Sequence, residues 1–432
     1  MQDKKFYLET YGCQMNEADA ELVSGILQQA GYQLTDSPAE AHLILVNSCS
    51  VRENADKRAL ARLSQFKSLK LRKPDLLLGL MGCVAQRDKG KVLAERPYID
   101  LVIGPDSYRN LVDLISQNNV PAVDVRLSRT ETYSELVPSR QTKVNAWVSI
   151  MRGCDKFCSF CIVPLVRGRE RSRPPASIID EVRRAVDQGY KEVTLLGQNV
   201  NAYHHSEWRF PDLLQAVATT TGIQRVRFTS PHPSDFDLKT LTVIRDNRQI
   251  CRHIHLPLQA GSSAVLKSMN RNYSQQDYLD TVARIREYIP SVAITTDIIV
   301  GFPGETDADF EETLKVMQIV QFDAAFMFKY SVRPGTKAAR FPDDVLEAVK
   351  AQRLKTIITL QKQHTLLRNT ALIGTNQTIL IEGVSRKNPE EPIGRTDSNK
   401  LVVVKNAKCN VGEIVPVQII KATGVTLFGK IT

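Results

Sequence analysis

The chain has 432 residues, a formal net charge of +10, 42% hydrophobic residues and 24% charged residues. That length suggests two or three domains, and that balance excludes a disordered or fibrous chain. The longest apolar run, LLLGLMGCVA from Leu76, falls well short of the roughly 18 residues of a membrane span, and MQDKKFYLETYGC at the N-terminus has no apolar signal-peptide core. A soluble cytoplasmic protein is expected.

Over the first 125 or so residues, short apolar runs alternate with helical patterns. KKFYLET, HLILVNS, LLLGLM and LVIG read as buried strands, and EADAELVSGILQQAG reads as an amphipathic helix stopped at Gly31. Such alternation predicts an α/β domain with a parallel sheet covered by helices, assigned to residues 1–125. The polar stretch RLSRTETYSELVPSRQT, residues 126–142, reads as a linker. Six further strand candidates follow: WVSIM, EVTLLG, RVRFTS, RHIHLPL, VAITTDIIVGF and FDAAFMFKYS. Helical patterns separate them, which predicts a partial (β/α)6 barrel of the TIM type ending near residue 368. From 369 to 432, QTILIEG, KLVVVKN, EIVPVQIIKA and VTLFGKI are short β-rich runs with no intervening helix. They predict a small antiparallel barrel of the OB type.

Eight cysteines in a chain of this class point to metal or redox chemistry rather than a disulfide framework. Cys154, Cys158 and Cys161 form C-x3-C-x2-C, three thiolates on one tight polar loop. That spacing matches a [4Fe–4S] cluster better than structural zinc, which takes four closed ligands, usually as two separated pairs. A cubane held by three cysteines leaves one iron open to a substrate. Cys13, Cys49 and Cys83 each closely follow a predicted strand. The strand ends of a parallel sheet share one edge, so these three can meet there and suggest a second cluster. Ordinary buried cysteines remain the alternative for this set, and Cys251 and Cys409 read as structural.

Charge is uneven. Between Arg126 and Arg173 there are ten Lys/Arg against four Asp/Glu, and Arg167, Arg169, Arg171 and Arg173 fall on alternate positions. Nucleic-acid phosphate is the natural partner, and a solvated face is the alternative. His232, His253 and His255 could be read as ligands, but His253 and His255 alternate on a strand and read better as satisfied imidazoles; His204 and His205 read as a loop.

The motif around Cys154, Cys158 and Cys161 resembles the radical S-adenosylmethionine (SAM) signature. With NSCSVRENA, RGCDKFCSFCIVP, TSPHP, HLPLQAGSSAVLKSMNR and TTDIIVGFPGET, the whole chain resembles the methylthiotransferases, most of all the branch that modifies isopentenyladenosine in tRNA. The resemblance implies two [4Fe–4S] clusters, SAM as both radical source and methyl donor, and a C-terminal RNA-binding TRAM domain. The cluster on Cys154, Cys158 and Cys161 would cleave SAM to a 5′-deoxyadenosyl radical that removes the C2 hydrogen of adenine beside the anticodon. The cluster on Cys13, Cys49 and Cys83 would supply sulfur. By the same resemblance Gly197, Gln198 and Asn199 lie near the amino end of SAM, Gln259 offers it a polar contact, and Gly301, Gly304 and Glu305 shape its adenosine pocket. A turn with a helix start also accounts for those glycines. The expected partners are tRNA carrying isopentenyladenosine and an electron donor such as a flavodoxin or ferredoxin, with no membrane and the chain a monomer. Two sister activities share the clusters: methylthiolation of threonylcarbamoyladenosine in tRNA, and of an aspartate in a ribosomal protein. A non-catalytic RNA-binding protein with structural or electron-carrying clusters is the alternative from another class.

Overall fold

The computed structural model describes residues 4–51, 53–116, 121–140 and 144–432. Strands β1 (Lys5–Tyr11), β2 (Gln33–Leu34), β3 (Leu43–Ser48), β4 (Leu77–Gly82), β5 (Leu101–Ile103) and β6 (Ala122–Asp124) form one sheet. Its order is β2-β1-β3-β4-β5-β6 and every pair is parallel. Successive side chains of β3 point to opposite faces. Ile44 and Val46 join Ala59 and Leu63 of helix α2 (Glu53–Arg72), whereas Leu43 and Leu45 join Val23 and Leu27 of α1 (Gln14–Gln29). Two-sided burial is why these strands read as unbroken apolar runs. A short helix, α3 (Cys83–Asp88), starts directly after β4.

Residues 126–140 are not a free tether. Tyr133 is buried against Tyr108, donates to the Pro105 carbonyl at 3.0 Å and accepts from the Tyr108 amide at 3.1 Å. The Val137 carbonyl lies where a Cβ on Gly25 would stand, 2.2 Å away, so the strap also crosses α1. Residues 141–143, the end of the expected linker, lie outside the described residues.

The second domain carries β7 (Asn145–Ser149), β8 (Glu192–Leu196), β9 (Arg225–Phe228), β10 (His253–His255), β11 (Ala293–Val300) and β12 (Ala324–Lys329), all paired in parallel. The two triples β7-β8-β9 and β10-β11-β12 meet through a parallel bridge from Val226 to Ile250. Among the described residues β12 does not pair with β7, so the barrel is partial. Helix α1 packs against β7, and the long helix Glu347–Thr370 packs against one face of β12. Two helices matter for the site: α4 (Val163–Arg167) and α5 (Glu347–Thr370).

The C-terminal barrel is closed, in the order β13-β14-β15-β17-β16: β13 (Asn376–Val384), β14 (Pro392–Thr396), β15 (Leu401–Val404), β16 (Ile414–Ala422) and β17 (Thr426–Ile431). It is not purely antiparallel, because β15 and β17 run parallel. Closure needs that one parallel pair to join the meander β13-β14-β15 to the hairpin β16-β17. This barrel also plugs the bottom of the larger one. Arg225 donates to the carbonyls of Arg395 and Thr378, and Arg227 to those of Asp397 and Thr396, from the first turns of β9. Lys400 pairs with Asp323 at 2.7 Å.

Arg227 also holds the buried Glu192 carboxylate at 2.9 Å. Arg227→Met leaves that carboxylate only the longer pair to Arg225 at 3.9 Å and is expected to cost about 3 kcal/mol in urea unfolding, with faster proteolysis between Thr370 and Asn376. Unchanged stability would mean that the docking does not depend on this contact.

Candidate active site

Strands β1, β3 and β4 are neighbours, and a cysteine stands at the C-terminal end of each. Cys13 caps α1, Cys49 follows β3 and Cys83 opens α3. Close approach requires the glycines beside them. A Cβ on Gly12 would stand 2.9 Å from the Cβ of Cys49, and Gly82 has φ +90 with its Cβ position 2.5 Å from Asn47 Oδ1. Buried Asn16 staples the edge. Its Nδ2 donates to Asn47 Oδ1 at 3.2 Å and to the Ser48 carbonyl at 3.1 Å, while its Oδ1 accepts from the Cys13 amide and thiol. Asn16 and Asn47 were not legible as site residues; the only signal was their position within three residues of Cys13 and Cys49.

The thiols feel one another. The hydrogen bond from Cys49 pushes Cys13 down to about 6 against the effect of burial, with help from the Arg167 charge. Cys49 is pushed well up by that same bond and by burial. Burial raises Cys83, with the Arg167 charge opposing it.

The second set lies on the loop after Met151–Arg152. Gly153 has φ +80, and a Cβ there would stand 2.0 Å from the Arg169 carbonyl. The segment Ser268–Arg271 grips this loop. Ser159 donates from its amide to the Met269 carbonyl at 2.9 Å and from its hydroxyl to that of Ser268 at 2.9 Å. Asn270 donates to the Phe157 carbonyl at 2.9 Å, and Arg271 Nη1 to Cys158 Sγ at 3.3 Å. Burial pushes Cys154 up to about 11, and burial with the nearby Cys158 pushes Cys161 up to about 12. Such thiols lose their protons when they bind metal.

Helix α4 joins the two sets. Ile162, next to Cys161, packs with Val166 against Cys83. At the end of α4, Arg167 Nε donates to Cys83 Sγ at 3.3 Å and Nη2 to Asp19 Oδ2 at 2.8 Å. Cysteines about 70 residues apart in sequence are thus separated by one short helix.

Among the described residues no three His, Cys, Asp or Glu side chains close around a single ion. A cubane is several ångströms across and takes ligands more widely spaced than a lone ion does. Charge also fits a cluster. Arg152, Arg167 and Arg171 are buried with only Asp19 and Asp106 between them, and Arg167 Nη1 and Arg171 Nε are buried without partners. Excess buried cation is costly unless an anion lies beside it. Three thiolates on an iron–sulfur core are such an anion.

This corrects the phosphate expectation for three of the four alternate arginines. Arg167 is held by Asp19, Arg171 pairs with Asp106 through two nitrogens at 2.9 and 3.0 Å, and Arg173 pairs with Glu181 at 2.7 Å. All three are buried: the sheet domain meets Arg167 and Arg171, and the helix after Pro174 meets Arg173. Arg169 alone stays exposed, paired with Asp155 and lying over the Phe157 ring.

The expected SAM contacts divide. Gly197 lets Met151 approach to where a Cβ would clash, at 2.6 Å. Gln198 Oε1 accepts from the Gly153 amide at 2.5 Å and so aims the cysteine loop. Asn199 is buried, donates to Asp235 at 3.0 Å and leaves Oδ1 unpartnered. Lys156 pairs with Asp235 at 2.6 Å, and Glu170 accepts from the Asp155 amide at 3.1 Å. Lys156, Glu170 and Asp235 form a polar cluster that spacing alone did not reveal. Gln259 takes φ +70 and bridges to Ile298 at the end of the β10 segment.

Glu305 is buried and tied to its own domain. Its carboxylate accepts from the Gly301 amide and pairs with Arg353 of α5 at 2.8 Å. Gly301, with φ +71, makes room for Lys350, and the Gly304 amide donates to Asp344 at 2.7 Å. His253 and His255 share the Thr295 hydroxyl at 2.9 and 3.0 Å, and burial pushes His232 down to about 3.

Three family models match the chain: the Radical SAM superfamily over residues 148–317, Uncharacterized protein family UPF0004 over 5–104, and the TRAM domain over 371–432. The tRNA-2-methylthio-N(6)-dimethylallyladenosine synthase of Azobacteroides pseudotrichonymphae is 48% identical over 99% of this chain and 96% of its own length. That of Porphyromonas gingivalis strain W83 is 47% identical over 100% and 95%. Among solved structures, the radical S-adenosylmethionine methyltransferase TsrM from Kitasatospora setae matches with TM-score 0.58 at 14% identity, over 78% of this chain and 77% of that one, a likeness of fold. With likeness to those synthases running the full length of the chain, on a partial barrel and a closed C-terminal barrel, the chain belongs to the tRNA-2-methylthio-N(6)-dimethylallyladenosine synthase family of radical SAM proteins.

Proposed function

We propose that this chain inserts a methylthio group at C2 of N6-isopentenyladenosine beside the anticodon of tRNA. The carrying observation is the contact through α4, which sets the two three-cysteine sites side by side. Cys154, Cys158 and Cys161 hold one [4Fe–4S] cluster, and Cys13, Cys49 and Cys83 the other. When bound, the clusters and SAM supply the one-electron and sulfur chemistry that turns a C–H bond into C–S. The protein's residues orient and exclude. Gln198 and Arg271 fix the barrel loop, and Asn199 with Asp235 and Lys156 offers a polar seat for the amino-acid end of SAM. Residues 1–125 then form the sulfur-delivering domain, 126–368 the radical domain and 369–432 an RNA-binding domain. The chain works as a monomer in the cytoplasm and takes electrons from a flavodoxin or ferredoxin.

The exposed face of β12 favours the isopentenyl substrate. Side chains alternating onto that face of β11 and β12 are Thr295, Asp297, Ile299, Ala324, Phe326 and Phe328, most of them apolar. Phe328 is a large, exposed aromatic, suited to stacking on an unpaired base.

Mass spectrometry of tRNA nucleosides from cells with and without the chain tests this. Loss of methylthio-isopentenyladenosine alone is expected. Loss of the threonylcarbamoyl product instead would transfer the assignment to the sister activity. For RNA contact, Arg169→Ala is expected to flatten the salt dependence of tRNA binding by about one charge. Arg171→Ala should instead lower stability by about 3 kcal/mol, because it removes the two-nitrogen pair to buried Asp106 and leaves that carboxylate Arg152 at 3.8 Å. An unchanged melting temperature for Arg171→Ala would return that residue to the RNA-binding face.

A further inference from the structure

Arg167 carries more than a domain contact. It closes a five-residue helix that begins two residues after Cys161, and its guanidinium enters the sheet domain at the three-cysteine edge. Its side chain is 4% exposed. Of its three nitrogens, Nε reaches Cys83 Sγ, Nη2 reaches Asp19, and Nη1 is buried with no partner. Asp19 does not neutralise it fully, because the other oxygen of that carboxylate is held by Arg152 at 2.9 Å. One carboxylate therefore serves two guanidinium groups, and a planar fork with a free edge lies beside three thiols. Charge-assisted donors to sulfur stabilise the more negative form of whatever the sulfur holds.

We propose that Arg167 is a positioning residue for the Cys13–Cys49–Cys83 site: it stabilises the added negative charge of a thiolate-ligated iron–sulfur group there, whether that charge comes by reduction or with a sulfur anion. This rests on the reading of those cysteines as cluster ligands. It makes the electronic state of the sheet-domain site depend on a residue of the barrel domain, so the sulfur site is complete only when α4 is docked. Asp19 acts in the opposite sense, since it draws the Arg167 charge away from the sulfurs.

The two signs give the test. The full chain with Cys154, Cys158 and Cys161 all changed to Ala is reconstituted anaerobically, so that iron binds only at the sheet-domain site. Its midpoint potential is read by redox titration followed by electron paramagnetic resonance. Arg167→Gln removes a positive charge and is expected to move the potential negative. Asp19→Asn unmasks that charge and should move it positive. Arg167→Lys keeps the charge and should stay nearer the parent than Arg167→Gln does. Should Arg167→Gln fail to fold, the Asp19→Asn and Arg167→Lys pair still decides. Shifts of the same sign for Arg167→Gln and Asp19→Asn, or no shift on Asp19→Asn, would mean a mere clamp between domains and overturn the inference. Iron-free parent protein would overturn the ligand assignment, and this inference with it. Iron present with unmoved potentials would overturn this inference alone.

Discussion

Cys49→Ala is expected to abolish methylthiolated tRNA while reductive cleavage of SAM continues. Cys49 is 1% exposed at the end of β3, in the centre of the sheet-domain trio. The barrel loop does not depend on it. Gln198, Asn270 and the Ser159 bonds to Ser268 and Met269 hold that loop from within its own domain. Helix α4 stays seated as well, because Arg167 and Ile162 meet Cys83 and not Cys49. Loss of one small buried side chain costs the fold about 1 kcal/mol, within reach of a chain this size. Both products are measured by chromatography of one anaerobic reaction: 5′-deoxyadenosine should persist, and the methylthio nucleoside should vanish. Ordinary methylthio product from this variant would remove the sheet-domain site from the mechanism. Loss of both products would mean that the sites are not separable. Side-by-side sites are worth the constraint, since holding two reactants in place saves up to roughly 7–11 kcal/mol of barrier in favourable cases.

The complementary change, Cys154, Cys158 and Cys161 all to Ala, should eliminate SAM cleavage and with it every trace of methylthio product. About half the iron should remain on reconstitution, bound by the sheet domain. The loop itself should survive, because its backbone bonds to Met269 and Gly168 involve no sulfur. Persistent 5′-deoxyadenosine from the triple variant would defeat the ligand assignment. Iron falling to nothing would show that the sheet-domain set cannot hold a group unaided.

The apolar strands of all three domains are legible from the chain because each is an unbroken run buried on both faces or one that alternates cleanly. The short strands β2 and β6 are not, since two or three residues carry no period, and β14 is masked by Pro392 and Gly394. Gly394 is there because a Cβ would stand 2.2 Å from the Leu380 carbonyl, a contact no local pattern announces. The parallel β15–β17 pair likewise depends on how the barrel closes and not on either strand alone.

The sequence by itself determined what is local: three cysteines within eight residues, the strand-end position of three more, and the helix and strand periods that order the domains. Tertiary structure alone decided which charges face water. Arg167, Arg169, Arg171 and Arg173 look equivalent in the chain, yet three are buried and one is exposed. Alternate spacing suggests one shared face, yet Arg167 closes α4 and only Arg171 of the four lies on a strand, so each meets its own surroundings. An arginine can be buried only where a carboxylate arrives to meet it. For Arg167 and Arg171 those carboxylates are Asp19 and Asp106, supplied from the other domain when it docks.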